Sequence, residues 1–402
     1  MEIKRYSFFA FLLILLCILS GCWSKKELKD LAFIIAVGID REERSGKYVV
    51  TFQVVNPGNV AGATQRGGGS AGLPVALHTS TGDTLLEASR KATKQISRIP
   101  YYAHTNLIVI GEKLAREGAT QIFDVVERNP QFRPTANVIV ARGQTAKQLL
   151  SVLTPIDKIP ANQIIQTLEL TESLWGESVD TRIREVIESF SLAGKEIVMS
   201  SFHVDGNRKN GDDQGNVRTM EPSARLRATQ LAVFKNGKLI GWIANEEARG
   251  VLWILDKIKQ TAITVDWGKE KEALSYKVIR SKTKVTAQLK DGQPIISLIV
   301  RTEGDVGETF VPIDFMDPKQ MSAIEKNIQQ EIKKEVERAI RGAQKKKSDI
   351  FGFGDVVRRT YPEEWKKMKK TWSDQYFPNV QFHVQVDAFI RRTGLRTRSY
   401  IQ

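Results

Sequence analysis

Two cysteines and four histidines in 402 residues are too few for a disulfide-built scaffold or a Cys/His zinc cluster. Long hydrophobic runs are just as scarce. Beyond the first 22 residues, no apolar stretch approaches the roughly 20 residues that a membrane-spanning helix needs, which excludes a protein of many membrane helices. No Walker A pattern occurs, so that phosphate-cradling loop is missing too. What is present suits a folded protein. Hydrophobic residues make up 41% and charged residues 26%, enough to bury a core in two or three domains. Acids are in deficit, 46 against 60 Lys and Arg, for a formal charge of +14. Such a balance suits either nucleic acid or an anionic membrane surface. The basic residues alternate with acids, as in Lys333-Lys334-Glu335 and Glu337-Arg338. That pattern reads as a solvated helix face, and no nucleic acid is expected as a partner.

The N-terminus fixes the compartment. Lys4 and Arg5 precede an uncharged run from Phe8 to Leu19, which has the length of a signal-peptide core. Leu19-Ser20-Gly21-Cys22 follows and looks like the lipobox of bacterial lipoproteins. Residues 1–21 are then a lipoprotein signal peptide, and Cys22 is the lipid-attachment site, an S-diacylglycerol cysteine open to N-acylation. An uncleaved anchor helix is the alternative, and the flank and spacing fit it less well. Cys17 leaves with the leader, so the mature chain keeps neither a free thiol nor a disulfide. Loss of Lys4, Arg5 and Glu2 lowers the charge to +13. Two acyl chains hold a protein stably on a membrane where one is marginal, and Lys25, Lys26 and Lys29 beside the anchor add attraction to anionic lipid.

Along the mature chain the pattern predicts an α+β protein of several domains, with mixed β-sheets and helices packed on them. Leu31–Gly38 and Tyr48–Val55 read as strands of a hairpin. Residues 56–74, rich in Gly and small polar residues, read as a surface loop. Helices are expected over Thr81–Arg98 with Asp83 as N-cap, and over Glu112–Asn129 with a break near Gly118. Thr105–Ile110 and Thr135–Ala141 are buried strands, and Thr145–Leu153, Asn162–Trp175 and Val179–Ser191 are helical. These make an N-terminal α/β domain, 22–200. A polar segment, 201–224, is expected to connect it to a C-terminal α+β region, 225–402, formed of two subdomains split near 265–280. Hairpins are predicted across Asn236-Gly237 and Asp291-Gly292, because both positions of such a turn need positive φ. Ala244–Lys259 reads as helical. The helix from Pro318 to Arg341 has Asp317 as N-cap, Gln320 closing a capping box and Gly342 as the stop. Its stripe Met321, Ile324, Ile328, Ile332, Val336 and Ile340 faces a core. From Val380 to Asp387 apolar and polar residues alternate, as on a strand with one wet face.

No catalytic constellation survives inspection. Gly68-Gly69-Ser70-Ala71-Gly72 matches G-x-S-x-G, but a nucleophile elbow needs a strand before it and a helix after it. His78, His104, His203 and His383 are scattered, so no zinc site is expected. Glu363 and Glu364 follow Pro362, where a helix N-terminus favours acids. Asp212-Asp213 lacks the ladder of a calcium loop. Neither a catalytic residue, a metal nor a cofactor is expected, and ligand-binding residues are unassigned.

Three places together resemble the C-subunit lipoproteins of spore nutrient germinant receptors, the Ger(x)C or GerAC type. They are Cys22-Trp23 with Glu27-Leu28 and the run to Gly38-Ile39-Asp40; His104 to Gly111 with Ala115-x-x-Gly118; and Asp349-Ile350-Phe351-Gly352-Phe353-Gly354 with Trp365, Trp372 and the alternating last strand. Ser24 stands where Asp is more typical. The resemblance implies a non-enzymatic subunit anchored by lipid on the outer face of the spore inner membrane. Its partners there would be integral-membrane A- and B-type receptor subunits, for which it acts as scaffold or coupling element. A lipid-anchored germinant-binding protein is the alternative.

Overall fold

The computed structural model describes residues 27–61 and 72–392. The strands are β1 (Leu31–Arg41), β2 (Tyr48–Val55), β3 (Val75–Gly82), β4 (Ile99–Tyr101), β5 (Leu107–Gly111), β6 (Asn137–Ala141), β7 (Val198–Gly206), β8 (Ala224–Lys235) and β9 (Lys238–Ile243). They form one mixed sheet in the order β3-β2-β1-β5-β6-β7-β8-β9, with β4 pairing to β1. Strands β1, β5, β6 and β7 run parallel. Every residue of β5 and β6 is buried, as expected of central parallel strands covered on both faces.

Helices supply those covers. α1 (Leu85–Lys91), α2 (Glu112–Glu117), α3 (Thr120–Arg128) and α6 (Ile183–Ser191) lie on one face, packing Leu114, Ile122, Phe123 and Val186 against Phe52, Ile108 and Val138. α4 (Ala146–Leu150) and α5 (Pro160–Leu170) cover the other, with Leu149, Ile164 and Leu168 against Leu107, Val109 and Phe202. Gly118, at φ +140°, makes the expected break between α2 and α3.

The second sheet has the order β10-β11-β12-β13: β10 (Thr261–Trp267), β11 (Glu270–Lys290), β12 (Gln293–Thr309) and β13 (Gln381–Arg392). α7 (Asn245–Ile254) and α8 (Pro318–Lys345) pack on it, followed by α9 (Phe353–Thr360) and α10 (Pro362–Met368). The stripe of α8 is buried from Ile324 to Ile340, and Met321 is partly buried beside it. Strand β13 has the expected wet face, with Gln381, His383 and Gln385 exposed. The fold is α+β, with mixed sheets and helices packed on them.

Several local readings change. Helix α1 starts later than expected and its N-cap is Thr84, whose Oγ1 accepts from Glu87 N, because β3 occupies the chain up to Gly82. The segment 201–224 begins inside β7 and ends at the start of β8, which pairs antiparallel to β7. It is an excursion between neighbouring strands, and the hairpin β8–β9 closes the first sheet. Position 265–280 lies within the antiparallel β10–β11 hairpin. Helix α8 runs through Gly342 to Lys345, since Gly342 lies so close to Glu247 that a Cβ would strike its Oε1. Gln320 accepts from Asp314 N, 3.2 Å, while Asp317 caps the helix through Lys319 N, so the capping box is not formed.

Candidate functional site

Cys22 and Ser70 lie outside the described residues. The remaining family-like motifs can be followed atom by atom, and each is built into the fold.

Asp40 ends the first motif. Its carboxylate receives Ala146 N at 2.7 Å and Lys147 N at 3.1 Å, and so caps α4 from a neighbouring strand. Such a cap satisfies helix N–H groups that have no partner within the helix. Burial pushes the Asp40 carboxyl above its ordinary range, and the two backbone donors oppose that shift. Gly111, last residue of the second motif's strand, leaves the space the carboxylate occupies, because a Cβ there would strike Asp40 Oδ1. Gly38 likewise lets α4 lie on β1, its missing Cβ being 3.0 Å from Ala146 Cβ. Replacing Asp40 by Ala should lower stability by about 1–2 kcal/mol. Urea midpoints measure it, and an unchanged midpoint would refute the capping role.

The third motif surrounds Asp349, which is fully buried. Its Oδ1 accepts from Phe353 N at 3.0 Å, and its Oδ2 accepts from Gly354 N and Trp372 Nε1, both at 2.8 Å. Its carbonyl accepts from Glu196 N at 2.8 Å, and the hydroxyl of Ser348 donates to Phe234 O at 2.6 Å. One carboxylate therefore folds the Phe351–Gly354 turn, orients an indole and sits at the junction with the first sheet. Gly352, at φ +74°, makes the left-handed entry to α9. Gly354 meets the backbone of Gly194, where an added Cβ would sit 2.6 Å from Gly194 Cα. Phe351, Phe353, Phe377, Trp365 and Trp372 stack around this turn at centroid separations of 5.1 to 6.5 Å. Burial raises the Asp349 carboxyl to about 6, and raises that of nearby Glu196 to about 7. Glu196 accepts from Asn236 N in the β8–β9 turn.

A second buried polar group was missed in the sequence. Glu335 is 1% exposed, not on a solvated face. It is ion-paired to Arg249 of α7 and accepts from Trp253 Nε1 at 3.0 Å. Its position carried a signal: it follows Ile332 by three residues and precedes Val336, so it lies on the apolar stripe.

The residues weighed for catalysis do not converge. His78 is on β3, His203 on β7 and His383 on β13, while His104 packs edge-on to Phe33 at 5.2 Å. Glu363 and Glu364 occupy the first turn of α10, and Asp213 accepts from Gly215 N within its own turn. Among the described residues, no group of three His, Cys, Asp or Glu could hold a metal, and no helix is long and apolar enough to cross a membrane. The depressions are open and polar at the rim. One of about 530 Å³ is bordered by Leu153, Gln163, Met220 and Arg225, and one of about 500 Å³ by Glu247, Lys334, Arg338 and Arg341.

Two family models match this chain: the spore germination protein N-terminal domain over residues 24–204, and the spore germination B3/GerAC-like C-terminal domain over residues 229–394. Spore germination protein KC of Bacillus subtilis (strain 168) is 41% identical over 96% of this chain and 95% of its own length. Spore germination protein B3 of the same organism is 24% identical, over 97% and 98% respectively. The crystal structure of the GerBC protein superposes with a TM-score of 0.55 at 17% identity, covering 88% of this chain and 96% of that one. At that identity the likeness speaks for the fold. Family models on both halves and a relative matching end to end at 41% establish that this chain belongs to the GerAC-like family of spore germination proteins.

Proposed function

We propose that this chain is the lipid-anchored, non-catalytic subunit of a spore nutrient germinant receptor. Cys22 carries the lipid, and the body stands on the outer face of the spore inner membrane beside integral-membrane A- and B-type subunits. There it scaffolds or couples those subunits during germination signalling. The carrying observation is where the signature side chains go: Asp40 caps a helix, Asp349 and Trp372 close a turn, and Gly111 and Gly354 make room for close packing. A family whose marked residues hold a body rigid is suited to presenting surfaces. The names of the relatives support the germination role, and the lipobox-like Leu19-Ser20-Gly21-Cys22 supports the anchor.

Changing Cys22 to Ala should move the protein from the membrane fraction of spores to the soluble fraction and end co-purification with the membrane subunits. Unchanged membrane fractionation would contradict the anchor. The second reading, a germinant-binding subunit, has one observation in its favour. Gln163 Oε1, at the groove beside Arg225, is buried without a hydrogen-bond partner among the described residues, and small-molecule sites are concave with a few such polar groups.

A further inference from the structure

The described chain begins at Glu27, five residues after Cys22. Five residues reach at most about 18 Å, so a lipid on Cys22 lies within that distance of Glu27, which a single helical turn, Leu28–Asp30, joins to the start of β1. Strand direction then identifies which end of the large sheet is near the lipid. β1 runs away from Leu31 for 11 residues, or about 36 Å at a rise of ~3.3 Å per residue. β5, β6 and β7 run parallel to it. The near end is therefore made of Leu28 to Phe33, β4 and the turn before β5, while Gly206 and the 207–223 excursion lie at the far end.

The near end has an uncommon surface. Leu28 is 73% exposed and Ile99, paired with Leu31, is 48% exposed. Behind them Phe33 and Tyr101 stack edge-on at 6.0 Å, both half-buried. Amphipathic aromatics and isolated aliphatics in this arrangement suit the boundary between headgroups and acyl chains. The charge fits as well. From Ala88 to Gly111 the chain has Arg90, Lys91, Lys94 and Arg98 and no acid. Residues 129–136, which lead into the near end of β6, have Arg133 and no acid. Lys94 and Arg98 are exposed and form no ion pair among the described residues. The carboxylates close by are Asp30, Glu27, which is paired to Lys29 at 2.8 Å, and Asp180 at the start of β6, which accepts from Asn137 Nδ2 and is paired to Arg182 at 2.8 Å.

We propose that this end of the large sheet is a second membrane contact. Leu28 and Ile99 enter the lipid interface, Lys94 and Arg98 meet anionic headgroups, and the body is thereby held in one orientation instead of swinging on its anchor. The proposal rests on the anchor reading of Cys22 and adds a face to it. Lipidation consumes the one cysteine left in the mature chain, so single labelling sites can be introduced at Ile99→Cys and, at the far end, at fully exposed Met220→Cys. Each full-length lipidated variant, carrying an environment-sensitive fluorophore, is reconstituted on vesicles of phosphatidylethanolamine and phosphatidylglycerol.

The label at position 99 should brighten several-fold and be quenched by lipids brominated along the acyl chain, while the label at 220 stays as in buffer. If the protein floats with the vesicles and the label at 99 stays in water, the contact is refuted and the anchor stands. Shielding at 220 in place of 99 refutes it too. Shielding at 99 only when the integral-membrane subunits are present makes the surface a protein interface and overturns the membrane assignment. If the unlabelled lipoprotein floats no better than its Cys22→Ala variant, the anchor reading fails and this proposal falls with it.

Discussion

Asp349→Ala should be among the most damaging single substitutions in the protein, with a loss of about 3 kcal/mol or more. It strips the acceptor from Phe353 N, Gly354 N and Trp372 Nε1 together, all in a buried site. Each orphaned donor costs about 1–3 kcal/mol. Part of that loss is offset, because the ionised carboxyl is itself poorly solvated. A rise from 3.8 to about 6 corresponds to about 3 kcal/mol against the charged form at neutral pH. The donors outnumber the acceptor, so the net remains a loss. Denaturant midpoints and near-ultraviolet circular dichroism of the tryptophans should both change, and a midpoint within about 1 kcal/mol of the parent would refute the role given to Asp349.

The same carboxyl makes a pH prediction with a definite sign. Its folded value, like that of Glu196, lies above the unfolded one, so the native state binds the proton more readily. Stability from these two groups is then fully present below about pH 4, where the unfolded carboxyls titrate. It declines as the pH rises through 6 for Asp349 and 7 for Glu196. Asp349→Asn should flatten the decline between about pH 4 and 6 when unfolding free energies are measured across that window. An unaltered slope would place the titration elsewhere.

Arg249→Met should cost about 3–5 kcal/mol, the usual penalty for leaving one charge of a buried pair behind. Glu335 would keep Trp253 Nε1 as its polar partner among the contacts described. Burial already pushes its carboxyl upward, with Arg249 as the main opposing influence. The single variant should therefore regain stability on acidification, as Glu335 takes up a proton. Pairing the change with Glu335→Leu should recover most of the loss, since buried pairs exchange well for apolar groups of similar volume. The indole of Trp253, left without an acceptor, accounts for the remainder, about 1–3 kcal/mol. A double variant no better than the single one would show that Arg249 acts through packing.

How much of this was legible in the sequence depended on whether the signal was local. The Asn236-Gly237 and Asp291-Gly292 turns were readable because two consecutive residues needed positive φ, and both pairs have it, from 49° to 74°. The stripe of α8 and the alternation of β13 were readable because period alone fixes a face. Strand β3 was hidden because it starts straight after a Gly-rich loop, and its burial pattern alternates only loosely. The pairing of the strands that flank the 201–224 segment was not readable, because polarity does not reveal which strands lie on either side. The end of α8 was misread because Gly342 was taken as a stop when its real constraint is the proximity of Glu247 on another helix. The roles of Asp40 and Asp349 are non-local in the same way: Asp40 acts on a helix 106 residues away, and Asp349 on an indole 23 residues on. For Cys22 the sequence motif is the whole argument.

The most direct test is equilibrium binding of amino acids and sugars to the purified full-length chain by isothermal titration calorimetry. A body that works by position should give no saturable heat at millimolar solute. Stoichiometric binding in the micromolar range, abolished by Gln163→Ala, would contradict the scaffold account and favour the proposed alternative, a germinant-binding protein.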